Sequence, residues 1–143
     1  PPLLAEGWGY ISISHCSDAL LIGWSSKKIG VDIERKDRSF QANKLSKRFF
    51  TQYENSEIEN LNPSQAKEQV LKRWVVKEAA IKWQSGKIST NLSEWIWKNN
   101  SSFAYHKKLG YQVKVYNQNH KKWIYAIALN GDSMRPDPIT CIN

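Results

Sequence analysis

Ile29-Gly30-Val31-Asp32-Ile33-Glu34 alternates apolar and acidic side chains inside an otherwise apolar stretch. That period of two reads as a strand, with Asp32 and Glu34 on one face and Val31 and Ile33 on the other. Upstream, Tyr10–His15 also alternates, and Ala19–Trp24 is a short apolar run after the turn signal Ser17-Asp18. With Ser25–Lys28 as a second turn, the three segments predict an antiparallel meander.

Beyond Glu34 the period changes. Phe40–Phe50 has apolar residues at helical spacing, with Lys44, Lys47 and Arg48 between them. Thr51-Gln52-Tyr53-Glu54 is a capping box that opens a helix expected to reach Leu61. Asn62-Pro63 opens a longer helix, ending near Gln84 before Ser85-Gly86. Strands are then expected at Ser93–Lys98, Ser102–Lys107, Tyr111–Tyr116 and Trp123–Leu129, with a polar turn at Asn117–Lys122 and a tail after Leu129. The class is α+β: an antiparallel sheet packed against one long helix and shorter helices.

Composition narrows the function classes. The chain has 143 residues, of which 41% are hydrophobic and 12% aromatic, enough for a packed core and unlike a disordered segment. No apolar run approaches the ~20 residues that cross a bilayer, and Pro1–Glu6 lacks the features of a secretion signal. Cys16 and Cys141 are read as reduced thiols of a cytoplasmic protein. A net charge of +8 admits nucleic acid, an acidic membrane, an acidic protein or a phosphate-rich small molecule as partner.

Two adjacent carboxylates on one strand face repel unless a cation stands between them. Asp32 and Glu34 are therefore either a hard-metal site, most naturally for Mg²⁺, or a solvated edge with Arg35 or Lys36 as salt partners. On the long helix, Trp74, Glu78 and Lys82 recur every four residues and form one stripe. They read as a third metal carboxylate with a phosphate-holding lysine one turn on, or as an ordinary helical ion pair. Ser14-His15 ends the first strand and adds a hydroxyl and an imidazole.

Ile13-Ser14-His15, Gly30-Val31-Asp32-Ile33-Glu34, Arg48-Phe49-Phe50 with Glu54, and Trp74-Val75-Val76-Lys77-Glu78-Ala79-Ala80-Ile81-Lys82 occur in the order and spacing of the 4′-phosphopantetheinyl transferases. The chain resembles the Sfp type of that family, part of the holo-acyl-carrier-protein synthase superfamily, over about residues 10–130. The resemblance implies Mg²⁺ on Asp32, Glu34 and Glu78. It implies coenzyme A as co-substrate, contacted by Ser14, His15, Lys77 and Lys82, and Glu78 (or a water on the metal) as base for a carrier-protein serine. Cys16 stands where many relatives have Ser, Gln or another polar residue.

The resemblance also implies that Lys36–Thr51 meets an apo acyl, peptidyl or polyketide carrier, through Phe40, Phe49, Phe50, Lys44, Lys47 and Arg48. A core role for Phe49 is the plainer expectation. Lys98, Lys107, Lys108, Lys114, Lys121 and Lys122, with no acid between Trp95 and Gly131, are expected to guard strand edges. A nuclease reading fails on geometry, because such enzymes alternate Glu and Lys along a strand. A basic, aromatic-rich module for nucleic acid or an acidic protein is the alternative function. It leaves Asp32 and Glu34 unexplained, so neither nucleic acid nor membrane is expected as a partner.

The chain begins Pro1-Pro2, without an initiator Met. Sfp-type enzymes have two similar lobes with coenzyme A between them. Residues 1–28 are accordingly expected to be the closing strands of a preceding lobe, 29–130 the Mg-binding lobe and 131–143 a tail. A preceding lobe, or self-association of single lobes, is expected to complete the cleft.

Overall fold

The computed structural model describes residues 2–86 and 91–137. A hairpin, β1 (Tyr10–Cys16) and β2 (Ala19–Ser25), precedes β3 (Ile29–Arg35). Three helices follow: α1 (Ala42–Phe49), α2 (Gln52–Ile58) and α3 (Pro63–Gln84). The chain returns through β4 (Trp95–Ile96), β5 (Phe103–His106), β6 (Gln112–His120) and β7 (Trp123–Asn130). The fold is α+β, a five-stranded antiparallel sheet in the order β3-β7-β6-β5-β4 packed on one long helix and two short ones.

The expected three-stranded meander is not formed. β3 pairs with β7, while β1 and β2 form a separate two-stranded sheet. β1 nevertheless runs beside the free edge of β3 and satisfies it with side chains. The Val31 N–H donates to Ser12 Oγ at 3.0 Å and the Ile33 N–H to Ser14 Oγ at 3.1 Å. Alternate serines on β1 thus stand in for a backbone ladder, so the edge is closed without lengthening the sheet.

The two faces of β3 meet different cores. Val31 and Ile33 pack with Leu21, Ile29, Tyr125, Ile127 and Leu129 beneath the hairpin. Gly30, Asp32 and Glu34 face α3, whose Val75, Val76, Ala79 and Ala80 join Ile124, Ala126, Ala128 and the indoles of Trp95 and Trp97 in the main core. Gly30 is required by this packing: a Cβ there would stand 1.9 Å from the Ala79 carbonyl oxygen. Phe50, Ile58, Ala66 and Val70 form a third cluster under α1 and α2.

Helix boundaries follow their caps. The Thr51–Glu54 capping box opens α2, and the Asn62 side chain accepts from the Gln65 N–H with Pro63 in the first turn of α3. Ser85, at φ 63°, ends α3 in the left-handed conformation. α1 begins at Ala42 rather than Phe40, and α2 stops at Ile58 rather than Leu61. The expected strand at Ser93–Lys98 is only Trp95–Ile96, whereas β6 runs on to His120 through most of the expected turn. Asn117–His120 are polar yet remain paired to β7, because backbone groups make the ladder. Cys141 and the end of the tail lie outside the described residues.

Candidate active site

Strand alternation and helix period bring the carboxyls of Asp32 and Glu78 and the Lys82 ammonium together where β3 crosses α3, with Glu34 on the same strand face. Asp32 is buried, and Ser14 Oγ donates to its Oδ1 at 3.0 Å. Lys82 Nζ lies 3.4 Å from the same oxygen and 3.4 Å from the Ile13 carbonyl. The other oxygen, Asp32 Oδ2, is buried without a hydrogen-bond partner among the described residues. Glu78, one turn before Lys82, is also buried and close enough to Asp32 for their charges to couple. Glu34 accepts from Arg38 Nη1 at 2.8 Å.

The electrostatics follow from burying acids close to one another. Burial raises the Asp32 carboxyl above its ordinary range, against the attraction of Lys82. Burial first, and then the charge of Asp32, push Glu78 up to about 9. Glu34 is raised too, chiefly by burial, although Arg38 opposes this. A cation within reach of the oxygens would oppose all three shifts.

The donors fit magnesium. Among the described residues, no three His, Cys, Asp or Glu side chains converge into a ready-made metal cage. Magnesium does not require one; it is commonly held by one or two carboxylates and completed by water and substrate phosphates. The unpartnered Asp32 Oδ2 beside the buried Glu78 carboxyl provides that kind of hard-oxygen corner.

The other expected site residues are placed differently. Ser14 joins the cluster, whereas His15 is exposed on the opposite face of β1, paired across the hairpin with Leu20. Lys77 is not brought to the cluster. It is fully buried on another side of α3, its Nζ 2.5 Å from Glu54 Oε1 and donating to the Leu92 carbonyl at 3.0 Å. Successive helical residues point about 100° apart, so a neighbour of Glu78 in sequence is turned away from it in space. Its contact with coenzyme A, expected from the resemblance, has no support in this geometry.

Arg38 was not singled out from the sequence. The partners considered for Glu34 were Arg35 and Lys36, but Arg35 binds Asp18 and Asp37 instead. Alternation along β3 sends Arg35 to the face opposite Glu34. The one available signal was an arginine four residues beyond Glu34, in a loop whose path no local pattern specifies. Around the expected docking segment, Phe50 is buried and Phe49 packs edge-to-face on Trp74 at 5.8 Å, while Lys44, Lys47 and Arg48 are exposed.

Residues 28–129, spanning β3 to β7 and therefore most of this site, match the family model of the 4′-phosphopantetheinyl transferase superfamily. The chain belongs to that superfamily. Its fold is similar to that of a holo-ACP-synthase from Plasmodium yoelii, with a TM-score of 0.55 and 20% identity over 71% of this chain and 91% of that one. It is also similar to the holo-[acyl-carrier-protein] synthase of Thermotoga maritima, with a TM-score of 0.53 and 20% identity over 72% of this chain and 62% of that one. No curated protein matches the sequence. No helix among the described residues is long and apolar enough to cross a membrane.

Proposed function

We propose that the chain is the metal-bearing part of an Sfp-type enzyme that transfers 4′-phosphopantetheine from coenzyme A to a serine of an apo carrier protein. One observation carries the reading: Asp32 and Glu78 are buried together, their charges coupled, with the Lys82 ammonium 3.4 Å from Asp32. Family membership is its second support.

Asp32 and Glu78 are the principal ligands of a magnesium ion, with Glu34 as the third carboxylate. Bound there, magnesium supplies neutralising charge for the pyrophosphate of coenzyme A. Lys82, part exposed and one turn beyond Glu78, places its ammonium against a phosphate. Ser14 orients Asp32 through its hydroxyl, and the exposed His15 is available to the 3′-phosphate. We assign Lys77 to the framework and not to the coenzyme.

In the reaction the serine oxygen attacks the β-phosphorus and the bond to the α-phosphate oxygen breaks. Adenosine 3′,5′-bisphosphate leaves with that electron pair, and the serine proton goes to Glu78, whose carboxyl is ionised once a cation offsets its burial. The chain's contribution is alignment and charge, which such transfers chiefly need. The carrier approaches along Lys36–Thr51, where Lys44, Lys47 and Arg48 face solvent and suit an acidic helix. Coenzyme A as co-substrate and the free Cys16 thiol support a cytoplasmic enzyme.

The exposed face of the β1–β2 hairpin supports a further body over the cleft, either a preceding lobe or a second copy. The reading is tested by coenzyme A binding, measured by calorimetry with Mg²⁺ and with EDTA. Binding should require the metal and be lost in Asp32→Asn. Nucleic-acid binding that persists in EDTA, without coenzyme A binding, would instead establish the basic binding module.

A further inference from the structure

Arg38 occupies a position that the proposed reaction leaves unused. It lies in the loop after β3, and its Nη1 donates to Glu34 Oε1 at 2.8 Å. The guanidinium also stands 5.8 Å from the Phe40 ring centroid and 5.9 Å from that of Trp74, one turn before Glu78 on α3. An aromatic shelf of this kind restricts where the cation can go, adding cation–π attraction to the ion pair. The Glu34 side chain is only 19% exposed and that of Arg38 39%, so the pair is screened less than one on the open surface.

The carboxylates of the cluster are thereby divided. Asp32 is served by Ser14 and Lys82, and Glu34 by Arg38. This division stands beside the lack of a three-carboxylate cage among the described residues. It also gives the third carboxylate a choice of cations, because one Glu34 oxygen cannot serve a guanidinium and a divalent ion equally well.

We propose that Arg38 is an internal counter-ion that holds Glu34 apart from Asp32 and Glu78, so that a divalent cation recruits Glu34 only by displacing it. Arg38 then sets the metal affinity of the site as a positioning residue. The inference rests on the reading of Asp32 and Glu78 as metal ligands. A hydrogen bond between charged groups must be given up for each ion bound with three carboxylates, and that exchange weakens binding.

Manganese alone is the probe, with free Mn²⁺ followed by electron paramagnetic resonance during titration of the metal-free protein. Arg38→Gln should bind Mn²⁺ about tenfold more tightly than the unaltered chain, the scale of one charge-assisted hydrogen bond. Removing any nearby cation strengthens metal binding, so the cycle with Glu34→Gln decides. Glu34→Gln alone should change the affinity less than about twofold, yet in the Arg38→Gln background it should abolish the gain. Arg38→Lys, which keeps the charge but loses the planar fork, should fall between and serves if Arg38→Gln does not fold.

Equal affinities for Arg38→Gln and the unaltered chain would overturn the proposal. So would an equal loss from Glu34→Gln in both backgrounds. If the unaltered chain binds Mn²⁺ no better than Asp32→Asn, the metal reading itself falls, and that outcome is distinct from the other two.

Discussion

Glu78 is the residue whose chemistry is most altered by the fold. Its carboxyl sits at about 9, against an ordinary value of 4.5, because it is buried and lies beside Asp32. Between those values the folded chain holds a proton that the unfolded chain releases, so stability must fall as pH rises through that window. The metal-free protein should therefore melt at progressively lower temperature from pH 5 to pH 9, followed by circular dichroism. Glu78→Gln should flatten the slope, and a slope unchanged by that substitution would remove Glu78 as its source. At this scale the sequence was legible where periodicity governs direction. Asp32 and Glu34 share a face because strands alternate, and Glu78 and Lys82 share a stripe because they are one turn apart. Arg38 was not legible, because it reaches Glu34 from a loop. Lys77, given to the coenzyme by the resemblance, is turned toward Glu54 instead, because successive residues of a helix diverge around its axis.

Lys77 has its consequence at the scale of elements. Its ammonium and the Glu54 carboxylate are both fully buried and join α3 to α2, while Glu54 Oε1 also closes the capping box through the Thr51 N–H at 3.1 Å. One side chain thus starts α2 and fixes its docking on α3. Removing one partner strands the other charge without water, so Lys77→Met should cost about 3–5 kcal/mol. Lys77→Met with Glu54→Leu should recover part of that loss in urea unfolding, and no recovery would show that the pair is not coupled. The capping box and the Asn62-Pro63 start were readable from sequence because caps are local chemistry. The partner of β3 was not. Short turns favour pairing between neighbours, but Ser12 and Ser14 occupy the edge that β2 would have needed, and β7 arrives from far along the chain.

At the scale of the molecule, the hairpin is the feature that asks for company. Ile13 and Ile22 are cross-strand partners, as are Ile11 and Trp24, so these side chains lie on one face. Leu20, Ile22 and Trp24 on that face are 62%, 55% and 66% exposed, unusual for such large apolar groups in a row. The chain by itself should self-associate as its concentration is raised, and Ile22→Glu with Trp24→Ser should weaken that association in sedimentation velocity. Sedimentation unaffected by the two substitutions would place the contact elsewhere. Which hairpin residues form this face was not legible in the sequence, since its apolar residues read equally well as core. Phosphopantetheine transfer is read from the intact mass of a carrier protein. Apo carrier, coenzyme A and Mg²⁺ are incubated with the intact natural protein, alongside its Asp32→Asn and Glu78→Gln variants. The carrier should become heavier by one phosphopantetheine arm with the unaltered protein and stay unmodified with either folded variant. Absence of the adduct on every class of carrier, or full modification by either variant, would contradict the proposed transfer.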